Sequence, residues 1–109
     1  MYEYKAYVTK VYDGDTITVD IDLGLGVWLR GQTIRLAAVD APEIRGEERE
    51  AGLVSRDWLR SEILDRFVTI KTYKDKKGKY GRWIADVYLG GAFINETLVL
   101  EGLAKIYGE

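Results

Sequence analysis

The stretch Thr16-Ile17-Thr18-Val19-Asp20-Ile21-Asp22 alternates without a fault between polar and β-branched apolar residues. A period of two can bury one face only as a β-strand, so this segment commits the chain to a half-buried sheet. The turn signal Asp13-Gly14 precedes it. Before that, Tyr4, Ala6, Val8 and Lys10 alternate against Lys5, Tyr7, Thr9 and Val11, so the chain is expected to open with a hairpin. Leu23-Gly24-Leu25-Gly26 loosens the backbone before Val27-Trp28-Leu29, and Thr33 to Val39 reads as a third strand ending at the only proline, Pro42.

The period then changes. From Glu50 to Leu64 the apolar residues Ala51, Val54, Trp58, Leu59 and Ile63 recur at three- and four-residue spacing, which predicts an amphipathic helix with Arg56, Asp57, Arg60 and Glu62 facing outward. Phe67 to Tyr73 is a β-branched and aromatic strand, Lys76 to Lys79 a turn, and Arg82 to Leu89 a fifth strand. Gly90-Gly91 reverses the chain into Ala92-Phe93-Ile94. Asn95 is expected to cap a short helix, Glu96 to Glu101, which Gly102 stops. Three strands, a helix, two strands and a helix describe an α+β chain, mainly β, with the connectivity of a five-stranded OB-fold barrel carrying two helices. Closure removes the edges that five short strands would expose. With 109 residues, one domain (1–109) and one core are expected.

Composition narrows the chemistry. There is no histidine and no cysteine, which excludes a Ser-His-Asp triad, a thiol nucleophile and a Cys/His zinc site. What remains is hard-cation chemistry with carboxylate ligands, and arginines that hold anions. The acids Asp13, Asp15, Asp40 and Glu43 flank two strand ends, Asp15 opening the second strand and Asp40 closing the third. In an antiparallel meander those ends share a rim, where a divalent cation would relieve their repulsion. Each acid on its own is equally a turn residue or strand terminator. Arg35 stands five residues before Asp40, an odd spacing that puts the two on opposite faces of a regular strand. A bulge or barrel coiling is needed to unite them, and otherwise Arg35 is an outward solubilising charge.

The net charge of −2 gives no global field for a polyanion, but Lys71, Lys74, Lys76, Lys77, Lys79 and Arg82 face only Asp75 over one short stretch. That stretch is either a solvated turn or the place where a polyanion binds. Tyr80-Gly81 before Arg82 adds an aromatic surface beside a flexible backbone. No apolar run is long enough for a membrane span, and the first residues lack the pattern of a signal peptide, so a soluble chain without a membrane partner is expected.

Four blocks together resemble the staphylococcal (micrococcal) nuclease family: Val11-Tyr12-Asp13-Gly14-Asp15-Thr16; Ile34-Arg35-Leu36 with Val39-Asp40-Ala41-Pro42-Glu43; Lys79-Tyr80-Gly81-Arg82; and Asn95-Glu96-Thr97-Leu98-Val99 with Gly102-Leu103-Ala104-Lys105. They stand in the family's order and span nearly the whole chain. The resemblance implies an OB-fold nuclease that hydrolyses single-stranded DNA and RNA with Ca²⁺ and leaves 3′-phosphates. It implies Asp15 and Asp40 as side-chain ligands of the metal, with the main-chain carbonyl of Ala41 completing the set, and Asp13 as an acidic neighbour. Glu43 resembles the general base, or the organiser of the attacking water. Arg35 and Arg82 resemble the arginines that grip the phosphate, and Lys79 and Tyr80 residues that contact a terminal phosphate.

Ala41 stands where the family commonly has Thr, the loop after Glu43 is shorter, and the charge is less basic. The chain ends at Glu109, short of the family's final helix. From this we expect apolar surface near Leu103, Ile106 and Tyr107, covered by the Val27-Trp28-Leu29 hairpin or by the second subunit of a homodimer. Two other readings are a non-catalytic OB module that binds nucleic acid or protein, and a metal-stabilised structural protein. Degenerate modules usually lack the ligands and arginines present here, and the structural reading leaves the paired arginines unexplained.

Overall fold

The expected barrel is present, and it closes through one parallel pairing. In a computed structural model describing residues 2–73 and 81–107, the elements run β1 (Tyr2–Asp13), β2 (Thr16–Gly24), β3 (Val27–Leu36), β4 (Val39–Asp40), α1 (Arg49–Ile63), β5 (Phe67–Thr72), β6 (Trp83–Leu89), β7 (Ala92–Phe93), α2 (Ile94–Leu100) and β8 (Lys105–Ile106). The sheet order is β3-β2-β1-β5-β6-β7, and β3 also pairs in parallel with β6 through Ile34, Arg35 and Leu36. Five strands thus form a closed barrel, with β7 as a two-residue extension.

Alternation explains its interior. Ile17, Val19 and Ile21 of β2 meet Ala6, Val8 and Val11 of β1, Ile34 and Leu36 of β3, Val68 and Ile70 of β5, and Ala85 and Val87 of β6. Leu59 and Ile63 of α1, with Ile94 and Leu98 of α2, complete the core. On β1 the parity of the burial changes partway, because register shifts fall between Val8 and Lys10 and between Val11 and Asp13. The first shift turns Lys10 away from the face that strict alternation assigned to it and brings Val11 inward.

Three further local expectations are corrected. The third strand stops at Leu36 instead of running to Val39, because Ala37-Ala38 is a turn and Ala38 takes a left-handed conformation, φ 61°. The buried side of α1 is Gly52, Ser55, Leu59 and Ile63, whereas Ala51 and Val54 are exposed. Small residues face the barrel because α1 crosses close to its rim: a Cβ on Gly14 would stand 2.7 Å from the Ala41 Cβ and 2.9 Å from the Ser55 Cβ. Arg60 is exposed as expected, and its Nε and Nη2 also donate to the Val11 carbonyl at 3.3 and 3.2 Å.

Asn95 does not cap α2, which already starts at Ile94 with no side-chain cap. It is buried instead, accepting from the Val87 N–H at 2.9 Å and donating to the carbonyls of Ala37 and Ala85 at 3.0 and 3.2 Å. One amide therefore satisfies the Val87 N–H and the Ala37 carbonyl and adds a second donor to the Ala85 carbonyl.

The chain after α2 is also more than a tail. Lys105 and Ile106 pair with Asp40 and Val39, and the Tyr107 N–H donates to the Ala38 carbonyl at 2.9 Å. Ser55 Oγ donates to the Leu103 carbonyl at 2.6 Å. Ile106 and Tyr107 remain exposed, so the Val27-Trp28-Leu29 hairpin does not cover them. That hairpin is itself exposed, Arg30 lies over the Trp28 ring at 5.6 Å, and its tip is a two-residue turn, Leu25-Gly26, with both φ angles positive. No helix among the described residues is long and apolar enough to cross a membrane.

Candidate active site

The end of β1, the start of β2, the end of β3 and the start of β6 lie side by side on one rim of the barrel. The 37–45 segment and Tyr107 wall the space beside them, a cleft of about 640 Å³. Asp13, Asp15, Arg35, Asp40, Ala41, Glu43 and Arg82 all line it. Lys79 and Tyr80 lie outside the described residues.

The acids are held by local backbone chemistry. Asp13 Oδ1 accepts the Asp15 N–H at 3.0 Å, an Asx turn that the Asp-Gly-Asp spelling dictates. Asp15 is buried, accepts the Thr16 hydroxyl at 3.1 Å, and through Oδ2 accepts the Ala41 N–H at 2.9 Å. That last bond joins the β2 start to the segment after β4, 26 residues away.

Arg35 resolves the spacing problem. It faces outward from β3, opposite Thr16, while Ile34 and Leu36 face the core. The outward face here is the floor of the cleft. The left-handed turn at Ala38 then breaks the strand's parity and returns Asp40 to the same side. Arg35 Nη2 lies 3.5 Å from Asp15 Oδ2 and 3.9 Å from Asp40 Oδ1, and its Nη1 donates to the Leu36 carbonyl at 2.8 Å. A non-glycine residue in this conformation costs roughly 1 kcal/mol, a strain typical of functional sites.

Glu43 is exposed at the cleft wall, with its N–H directed to Glu48 Oε1 at 3.3 Å. Its main chain rests on α1 at Gly52: a Cβ there would collide with the Glu43 carbonyl oxygen and stand 2.5 Å from its carbonyl carbon. Arg82, half-buried, enters from the start of β6, whose pairing with β3 sets Ile84 beside Arg35.

Asp13 carries the electrostatic cost. Burial, and then the neighbouring Asp15 carboxylate, push its pKa up to about 6. A carboxyl whose pKa is raised on folding binds its proton more tightly in the folded chain, so its contribution to stability is full below about pH 4 and is lost as the pH climbs through about 6. Asp13→Asn keeps an acceptor for the Asp15 N–H without the charge. In chelator, the variant is expected to melt above the wild type at pH 7–8 and to match it near pH 4. A thermal denaturation series across pH reads this directly, and equal melting points at pH 8 would contradict it.

As to a metal, the donor set is oxygen only, and two carboxylates, Asp15 and Asp40, converge on one guanidinium. That suits a hard cation and no soft one. Among the described residues no group of three acidic side chains gathers as a ready-made cage, so a cation would need carbonyl and water oxygens to complete its shell.

Residues 33–109 match the profile of the staphylococcal nuclease homologues. The chain belongs to the staphylococcal nuclease family. It is 35% identical over 101 residues to a thermonuclease of Staphylococcus hyicus and 32% identical over 101 residues to one of Staphylococcus intermedius, in each case over 90% of this chain and 56% of the relative. An SPbeta prophage-derived endonuclease of Bacillus subtilis is 32% identical over 109 residues, covering 89% of this chain and 32% of the relative. The chain thus spans a little over half the length of the two thermonucleases.

Among the residues of this nuclease-family cleft to which sequence reasoning gave no role are Tyr12, Arg45 and Tyr107. Tyr12 lay inside a quoted motif and Arg45 two residues past Glu43, so proximity to the motifs was the available signal. Tyr107 had none. It arrives through the β4–β8 pairing, and its ring centre lies 5.7 Å from the Arg35 guanidinium.

Proposed function

We propose that the chain is a Ca²⁺-dependent nuclease that hydrolyses phosphodiester bonds of single-stranded DNA and RNA at the 5′-oxygen, leaving 3′-phosphates. The observation that carries the reading is the convergence of Asp15, Arg35, Asp40, Glu43 and Arg82, drawn from four separate segments, on one cleft. A binding module needs the cations alone. A carboxylate left exposed beside two phosphate-gripping arginines suits hydrolysis.

In this reading the phosphodiester lies between Arg35 and Arg82. Each planar fork can donate to two non-bridging oxygens, which gain charge as the phosphorus becomes five-coordinate. A Ca²⁺ ion held by Asp15, Asp40 and the Ala41 carbonyl would add further positive charge at those oxygens. Glu43 orients a water for in-line attack and accepts its proton, the role that an exposed carboxylate on the cleft wall can fill. Asp13 holds the Asp15 backbone in place. Lys79 and Tyr80 are assigned to a terminal phosphate. A homodimer compatible with this reading leaves Tyr107 uncovered, because that residue lines the cleft.

Incubation with a labelled single-stranded oligonucleotide in Ca²⁺ should yield fragments ending in 3′-phosphate, and chelator should abolish the cleavage. Undiminished cleavage in chelator would remove the metal from the proposal. Binding without cleavage in Ca²⁺ would make the chain a nucleic-acid-binding module.

A further inference from the structure

Tyr12 and Arg45 form a pair that the five-residue site does not use. The register shift between Val11 and Asp13 makes Tyr12 the extra residue of β1, set at the rim and exposed. Bulges next to sites commonly re-aim one side chain in this way. Arg45 approaches from the segment after Pro42, and its Nη2 donates to the Tyr12 hydroxyl at 3.1 Å. Both residues are exposed and both line the cleft.

Two features set this pair apart from a surface contact. Among the described residues Arg45 has no ion-pair partner, unlike Arg35, Arg30 and Arg56. One of its guanidinium N–H groups is engaged, which leaves the rest, with the Tyr12 hydroxyl proton, as donors facing the same space. The second feature is position. Tyr12 stands on β1, two strands from Arg35 on β3, and β1 and β6 are not neighbours in the closed barrel either. At about 4.8 Å per strand this is up to roughly 10 Å, more than one phosphate group spans.

Resting on the nuclease reading above, we propose that Tyr12 and Arg45 are a second phosphate subsite, which grips a phosphodiester of the same strand flanking the scissile one on the side away from Arg82. Charge supports it. Asp13, Asp15, Asp40 and Glu43 outnumber Arg35 and Arg82 along the cleft, and Arg45 is the cation that offsets them where the strand continues. A guanidinium and a phenol are both suited to phosphate oxygens, and neither reads a base there, so the subsite favours length over sequence.

The test compares Arg45→Ala and Tyr12→Phe with the wild type on two substrates, a single-stranded oligothymidylate and a nitrophenyl phosphodiester of one nucleoside. In Arg45→Ala the loss in kcat/KM on the oligonucleotide should exceed that on the small diester about tenfold, chiefly through KM, with Tyr12→Phe intermediate. Equilibrium binding of the labelled oligonucleotide in Ca²⁺ gives a readout independent of turnover. Losing one phosphate contact should flatten the dependence of log affinity on log salt by about 0.7. Equal losses on both substrates, or a loss confined to kcat, would mean that Arg45 only steadies the Glu43 segment, and the subsite would be refuted. An unchanged salt slope would refute it too. If the wild type cleaves neither substrate, the nuclease reading fails, while the salt slope still decides whether Arg45 holds a phosphate.

Discussion

Arg35→Ala is expected to slow phosphodiester cleavage by about 10²–10³-fold, the usual cost of removing one donor from a charged transition state. The fold should survive. The backbone of Arg35 supplies the pairings with Thr16 and Ile84, but its guanidinium is largely buried against Asp15, so the variant is expected to fold with reduced stability. A loss of about 3–4 kcal/mol in the transition state, read well below the variant's melting temperature, separates catalysis from scaffolding. Arg35→Lys sharpens the result. It keeps the charge and loses the fork, so a rate near that of alanine would show that bidentate geometry matters more than charge. Single-turnover rates at saturating oligonucleotide, with melting curves, make the comparison. A full-rate alanine variant would remove Arg35 from the mechanism. Glu43→Ser and Arg82→Ala are expected to behave in the same way.

Gly52→Ala should cost about 100-fold in activity although it lies inside a helix and touches no substrate. On propensity alone the change favours α1 by about 1 kcal/mol. Against this, the new methyl would meet the carbonyl oxygen and carbon of Glu43 and come within 2.9 Å of the Ile44 nitrogen, all of them main-chain atoms that cannot swing aside. The segment bearing Glu43 must therefore move. A displacement of about 1 Å in a positioning element typically costs 10²-fold in rate. The loss should appear in kcat, while oligonucleotide binding through the arginines is largely kept. A variant with wild-type kcat would show that Glu43 tolerates movement or does not act.

The legible part of this molecule was the part written in period and punctuation. Ile17, Val19 and Ile21 announced β2 and the barrel face, and Asp13-Gly14-Asp15 announced the turn that presents two acids. The failures share a physical cause. Whether Thr33–Val39 stays one strand depends on Asn95, 58 residues from Ala37, which satisfies the broken backbone there. Apolar periodicity chose Ala51 and Val54 for the buried face of α1, but close approach to Gly14 and Glu43 selected Gly52 and Ser55, since the helix needed to fit before it needed to be greasy. Arg35 and Asp40 looked incompatible by parity because parity assumes an unbroken strand, and a left-handed alanine is a backbone event with no sequence signature. The basic turn with Lys79 and Tyr80 lies outside the described residues, so the structure bears only on the other seven site residues.

The two-residue β8 ties the order in which the chain is made to the order in which the site can assemble. The barrel's first three strands and both candidate ligands are complete by Asp40, yet the strand that holds Asp40 from the far side waits for Lys105. This pairing joins segments far apart in the chain, so closing it costs more loop entropy than any of the local hairpins. A growing polypeptide can thus fold much of its hairpin scaffold while its acidic rim stays open. The finished cleft needs residues made well after its own acids.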